Sequence, residues 1–483
     1  MTNRKKLVRT RIAPSPTGEM HVGSMAILLK NYAFAKKHAG KFVLRIEDTD
    51  KLREVAGGVK AIQDIIHDYN LDWDEGPGKE GEFGPYIQSQ RLDIYKNYAQ
   101  KLVDKGKAYY CFCSQERLVQ VRDEMRANKQ PPKYDRHCLN LSAAEIKSRI
   151  QNQESYVIRL KVPDNQDVTF TDLIRGKITF NSSGIDDQVL LKSDGYPTYH
   201  LAVVVDDHLM QISHIMRGEE WISSTPKHVL LYQAFAWELP VFAHIPIFLN
   251  PDGNGKMSKR KGTVSARSFL DKGYLPEALL NFFMILGWTP EDQREILSLE
   301  EYIQEFDPQD LNKNSVAFDL KKLDWINGVY IRKLTIQNLK LKILPFLPND
   351  FPQEKLESIL NLIHERLIRL DEVEELTSFF YRNIQIDKDL LLKKADKELV
   401  FSQLEKSVEK LLGLKFWQSE NLEKIIRTLQ EENNWKIGQY FMMLRIVLTG
   451  RKVSPPLFES MAVLGLEITL KRLKMALDLI NAN

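Results

Sequence analysis

The sequence predicts a mixed α/β fold with an inserted α+β segment and an all-α C-terminal region. Three observations predict it: a β-α-β unit opens the chain, a second α/β stretch begins near Tyr199, and glycine almost vanishes after Val329.

Residues Leu7 to Ile12 are extended and partly alternating, and Pro14, Pro16 and Gly18 then break the chain. Met25, Leu28, Leu29, Tyr32 and Ala33 recur at helical spacing from Val22 towards His38, until Gly40 stops the helix. Phe42 to Ile46 follows as a strand, so the unit should be a right-handed crossover in a parallel sheet. Ligands of such sheets bind beyond the carboxyl ends of the strands, where Ala13–Ser24 and Glu47–Asp50 would sit. Residues 100–195 change character, with short alternating stretches such as Tyr156–Val162, and read as an inserted α+β domain. Leu201 to Val205 is a continuous apolar run, expected to be a strand buried on both faces, and Ile212–Met216 a further strand. Ser224 or Thr225 offers an N-cap and Pro226 an N1 residue for a helix reaching Trp237. Only Gly413 falls between Val329 and Ile437, where Leu356, Ile359, Leu360, Ile363, Leu367 and Leu370 trace one amphipathic helix.

Composition bounds the function. With 483 residues the chain should hold roughly three to five domains. Neither a long apolar run nor the apolar core of a signal peptide occurs, which predicts a cytoplasmic protein without a membrane span. A net charge of +3 excludes a histone-like polycation but leaves room for local basic patches. Cys111, Cys113 and Cys138 are an odd set and make no disulfide framework; they read as a metal site or as reduced core thiols.

Two motifs carry chemistry. His21-Val22-Gly23-Ser24 stands at a helix N-terminus, where backbone N–H groups and the helix dipole favour phosphate. Gly23 lets a nucleotide approach closely and His21 can bond a phosphate oxygen; alone, the motif also suits a capped surface helix. Lys256-Met257-Ser258-Lys259-Arg260 is a basic loop flanked by glycines, able to close on a triphosphate, or alone to be a solvated turn. It is not a Walker A loop, because Asn250 and Met257 stand where glycine and Ser/Thr are required.

In this order, with a second α/β half before the loop, the motifs resemble the paired signatures of class I aminoacyl-tRNA synthetases. The stretches Arg9–Gly18 (RTRIAPSPTG), Arg45–Asp50 (RIEDTD), Asp194–Tyr199 (DGYPTY), Val205–His208 (VDDH) and Met216–Trp221 (MRGEEW) are similar to the glutamyl members. Glutaminyl members share the fold but read PPEPNG where this chain has APSPTG.

The resemblance implies a Rossmann-like catalytic domain split over 1–99 and 196–240, with an acceptor-stem-binding insertion at 100–195. It further implies a stem-contact domain with the basic loop at 241–330, and helical anticodon-binding parts at 331–395 and 396–483. It implies ATP-dependent ligation of L-glutamate to tRNA(Glu) by a monomer, through a glutamyl-adenylate that forms once tRNA is bound, with Mg2+ accompanying ATP. His21, Lys256 and Lys259 would be catalytic; Gly23, Ser24, Glu220, Trp221, Phe248, Ser258 and Arg260 would complete the ATP site. Glutamate brings two carboxylates and one ammonium. Arg11 and Arg217 can pair with carboxylates and Glu47 with the ammonium, while Ala13, Ser15, Tyr199 and Val203 complete the implied pocket. Arg366, Lys436, Gln439 and Arg445 match tRNA-contacting positions. The C-x-C-x24-C spacing matches zinc-binding relatives in which a tyrosine, here Tyr134, joins the cysteines; His137 is the chemically more ordinary fourth ligand. Asp206, Asp207, His208 and His214 look metal-like, although a structural turn role suits them better. A shortened paralogue that glutamylates a queuosine base would lack the helical end, and a tRNA-binding protein without catalysis would need neither His21 nor the lysines.

Overall fold

The computed structural model describes residues 7–50, 53–257, 265–393 and 396–482. They divide into two compact units. One comprises residues 1–269 and 279–320, the other residues 270–278 and 321–483. Among the described residues, no helix is long and apolar enough to cross a membrane.

The first unit opens with β1 (Arg9–Ile12), α1 (Val22–Lys37) and β2 (Lys41–Leu44), with β1 and β2 paired in parallel. After α2 (Gly58–Asp68) and α3 (Leu92–Asp104) come β3 (Ala108–Cys111), α4 (Gln115–Ala127), α5 (Ala143–Gln151) and β4 (Val157–Leu160). Next are β5 (Asp167–Asp172), β6 (Gly176–Asn181), β7 (Val189–Leu191), α6 (Tyr199–Leu209), β8 (His214–Gly218), α7 (Thr225–Phe235) and β9 (Val241–Ile245). An antiparallel sheet has the order β3-β4-β7, and a mixed sheet the order β6-β5-β9-β8. The Ser213 amide donates to the Arg9 carbonyl at 3.0 Å and lays the start of β8 beside β1. The carboxyl ends of β1 and β8 therefore come together, as the opening crossover predicts.

Two expectations are corrected. Leu201–Val205 is not a strand but the middle of α6, and all five side chains are buried. A short apolar run enclosed on every side has the same pattern in a strand or a helix, so periodicity could not separate them. The stripe from Leu356 to Leu370 is likewise not one helix. The α-helix Leu356–Ile363 ends in a 3-10 turn at His364–Arg366, and Leu367 turns extended. All six apolar residues are nevertheless buried, so their spacing identified core positions although the helix stopped early.

The second unit is helical, including the helices Lys397–Leu412, Ser419–Glu432, Ile437–Thr449, Leu457–Leu464 and Leu466–Asn481. Each buries an apolar stripe, such as Leu422, Ile426 and Leu429 of the second. Gly450 ends the third in the left-handed conformation, φ 73°, where a Cβ would also lie 3.0 Å from the Gln385 carbonyl.

Candidate active site

A cavity of about 680 Å³ opens at the carboxyl ends of β1 and β8. Arg11, Ala13, Ser15, Ser24, Glu47, Tyr199, Arg217, Glu220 and Trp221 all line it. Val203 does not. One turn beyond Tyr199 on α6, it is packed into the hydrophobic core and 1% exposed.

The floor is a buried ionic network. Arg11 donates to both oxygens of Asp207, Nε at 3.1 Å and Nη2 at 3.3 Å. Arg45 bridges Asp207 at 2.7 Å and Glu47 at 3.0 Å. Beneath them Asp206 accepts from Arg91, Gln88 and Tyr95 at 2.7–2.9 Å. Asp206 and Asp207 are thus structural as expected, but they serve as helix-borne counter-ions rather than in a turn. Burial raises the Glu47 carboxyl above its ordinary value against the pull of Arg45 and Arg11. Arg217, 5% exposed, differs from the other arginines. Nε donates to His244 at 3.2 Å and Nη2 to Thr225 at 2.9 Å, while Nη1 faces His228 at 3.2 Å and the Tyr199 hydroxyl at 3.4 Å. Among the described residues no carboxylate forms an ion pair with it, so a buried cation stands at the cavity wall with neutral partners alone.

Beside this cavity, His21 caps α1 by accepting the Gly23 amide on Nδ1 at 2.9 Å. A Cβ on Gly23 would stand 3.1 Å from that nitrogen and 3.7 Å from the Phe248 ring, so glycine keeps the helix N-terminus open. Lys256 pairs with Glu220 at 3.5 Å, both half exposed, and the Met257 amide donates to the Phe248 carbonyl at 2.9 Å. Gly23, Phe248, Glu220 and Lys256 therefore gather near the start of α1. Ser258, Lys259 and Arg260 lie outside the described residues.

The cysteines lie apart from this cavity. The Sγ atoms of Cys111, Cys113 and Cys138 lie within 4.8 Å of one another, the one such metal-competent group among the described residues. The Tyr134 hydroxyl is 3.3 Å from Cys111 and 3.4 Å from Cys113, whereas His137 is exposed. A side-chain hydrogen bond between Cys111 and Cys138 lowers the pKa of the Cys111 thiol and raises that of Cys138. His208 stacks on Trp237 and His214 is held near pKa 4 by burial, outside any such group.

In the helical unit Arg366 and Lys436 are exposed and Gln439 is half-buried. Arg445 is committed to its own chain, donating to the carbonyls of Ser454 and Pro455 at 3.0 and 2.9 Å. Burial first and the Arg366 charge second lower its pKa, which places the two guanidiniums within electrostatic reach.

Sequence reasoning passed over Arg45, Asp172, Thr225, His228 and His244 as site residues. Asp172 and His244 meet across 72 positions, and Thr225 and His228 reach Arg217 only through the packing of α7. Arg45 stands in the RIEDTD stretch, but its partner Asp207 lies 162 positions away.

The chain matches a family model described as tRNA synthetases class I (E and Q), catalytic domain, over residues 7–325, and an anticodon binding domain over 338–477. The glutamate–tRNA ligase of Dehalococcoides mccartyi is 45% identical, covering 99% of this chain and 98% of its own length. That of Clostridioides difficile is 44% identical, covering 96% and 98%. A crystal structure of a glutamate tRNA ligase from Elizabethkingia meningosepticum, in complex with its amino acid, superposes with a TM-score of 0.90. It is 34% identical and covers 99% of this chain and 100% of that one. With nearly the whole length matched at this identity and with the expected fold, the chain belongs to the glutamate–tRNA ligase family of class I tRNA synthetases.

Proposed function

We propose that this chain ligates L-glutamate to tRNA(Glu) using ATP, through a glutamyl-adenylate, acting as a cytoplasmic monomer. One observation carries the substrate: the buried guanidinium of Arg217, without a carboxylate partner, facing a cavity that also presents Glu47 and Arg11. Burying a cation without a counter-ion costs several kcal/mol, so the wall favours a ligand that brings an anion. In this reading Arg217 and Tyr199 take the side-chain carboxylate and Glu47 the ammonium. Arg11, held rigid by Asp207, completes the pocket with Ser15 and Ala13.

ATP lies against the start of α1. His21, Gly23 and Ser24 meet its phosphates, Glu220, Trp221 and Phe248 surround its adenosine, and Lys256, Ser258, Lys259 and Arg260 close over the phosphate chain. An oxygen of the glutamate α-carboxylate attacks the α-phosphorus, the bond to the β-phosphate breaks, and pyrophosphate leaves. The terminal ribose hydroxyl of tRNA then attacks the acyl carbon, loses its proton and displaces AMP. Neither step needs a protein nucleophile; positioning and charge stabilisation supply the rate. Magnesium enters with the ATP phosphates, whose oxygens it prefers. Zinc, held by Cys111, Cys113, Cys138 and Tyr134, would supply a structural staple. Arg366, Lys436 and Gln439 contact tRNA, with Arg445 bracing the segment beside Arg366.

The test is conversion of ATP to AMP and pyrophosphate by the purified chain. It should require glutamate and tRNA(Glu) together; turnover with glutamine but not glutamate would refute the substrate.

A further inference from the structure

The environment of Arg217 is itself organised by a second set of side chains. The parallel register of β8 and β9 sets Arg217 opposite His244. Asp172, at the end of β5, accepts from the His244 amide at 2.9 Å and faces its Nδ1 at 2.7 Å. With the Nδ1 proton given to that carboxylate, Nε2 keeps the lone pair that the Arg217 Nε–H needs. On the other side His228 turns Nδ1 to Arg217 at 3.2 Å and Nε2 to His200 Nδ1 at 3.0 Å. A neutral His228 protonated on Nε2 satisfies both contacts. Thr225 Oγ1 donates to the Trp221 carbonyl at 2.9 Å and accepts from Nη2. One assignment of protons therefore satisfies the chain Asp172–His244–Arg217–His228–His200 from end to end.

Charging either ring that faces Arg217 would aim an N–H at an N–H of the guanidinium. Burial opposes this: His228 is held well below its ordinary value, and His200 behind it near pKa 4. Desolvation likewise lowers His244, against the pull of Asp172. Each partner of Arg217 thus accepts a hydrogen bond without neutralising it.

We propose that Asp172, His244 and His228 are positioning residues for acid recognition, holding Arg217 oriented and without a protein counter-ion so that the substrate's side-chain carboxylate neutralises it. This rests on the assignment of Arg217 to that carboxylate. An isosteric amide would leave the buried cation uncompensated, so the same arrangement sets the preference for glutamate over glutamine.

The experiment measures tRNA charging with glutamate and with glutamine for the full chain and its variants His244→Phe, His228→Phe, His228→Gln and Arg217→Met. The phenylalanine variants should raise the glutamate KM about tenfold or more and lower the glutamate-to-glutamine ratio of kcat/KM by a similar factor, with the KM for ATP little changed. His228→Gln, whose amide oxygen can still accept from Nη1, should recover most of the loss. If folded phenylalanine variants keep both the glutamate KM and the ratio, or lose kcat alone, the proposal is overturned. Should neither phenylalanine variant fold, His228→Gln decides: a glutamate KM within about threefold of the parent supports the proposal, and a tenfold rise overturns it. Arg217→Met separates the two levels. An unchanged glutamate KM there contradicts the assignment of Arg217 itself. Loss of glutamate use with silent phenylalanine variants contradicts only the positioning roles.

Discussion

At the scale of single residues, the first unit holds its charges where water is excluded, and two of them yield stability predictions. Lys30 of α1 is fully buried, and its ammonium donates to the Phe283 carbonyl at 3.0 Å. Burial lowers its pKa from 10.5 to about 7. The folded chain therefore binds fewer protons than the unfolded chain between those values. Stability falls as pH drops from 10.5 to about 7, and the full penalty stays below that. Lys30→Met should stabilise the protein by on the order of 2–4 kcal/mol at pH 7, and by clearly less at pH 10. Urea unfolding at the two pH values checks it; an equal difference at both would contradict the burial of an ionisable amine. Asp207 serves two buried arginines at once. Its replacement by asparagine should destabilise by about 3–5 kcal/mol, since Arg11 and Arg45 lose their shared counter-ion. A change below about 1 kcal/mol in the same assay would show that the network carries little weight.

At the scale of elements, local patterns succeeded where one element explains a motif. The β1–α1–β2 unit, the proline-started α7 and the glycine at the start of α1 all follow from spacing and cap chemistry. Arg11, Ser15, Glu47, Tyr199 and Arg217 line one cavity because they sit where β1, β2, α6 and β8 meet its mouth. Failure came where packing overrides pattern. The apolar run in α6 is enclosed on all sides, and its helical state follows from neighbours rather than from its own residues. His228 and His244 were invisible for a related reason: only the β8–β9 register and the packing of α7 bring them to Arg217. An element-level prediction follows for the start of α1. A Cβ at position 23 crowds the capping His21 nitrogen and the approach of phosphate. Gly23→Val should raise the KM for ATP about tenfold or more while leaving tRNA affinity within about twofold, measured by ATP titration and filter binding. For the basic loop, Lys259→Ala should reduce adenylate formation far more than tRNA binding. Equal losses would remove its proposed role.

For the molecule as a whole, successive family matches over 7–325 and 338–477 place catalysis in the α/β part and tRNA reading in the helical part. That division was visible in the glycine-poor texture after Val329, because a helical domain needs few left-handed turns. A net charge of +3 supplies little long-range attraction for a polyanion, so tRNA affinity must come from local clusters of lysine and arginine. Affinity for tRNA(Glu) should therefore fall steeply and log-linearly with salt; a flat dependence between 50 and 200 mM, roughly the range in which counterion release is read, would exclude a phosphate-dominated interface. The most direct measurement is charging of a tRNA(Glu) transcript with labelled glutamate or glutamine in parallel. Glutamyl-tRNA should form with glutamate, and no comparable product with glutamine. Comparable charging with both amino acids, or with glutamine alone, would contradict the assignment to glutamate.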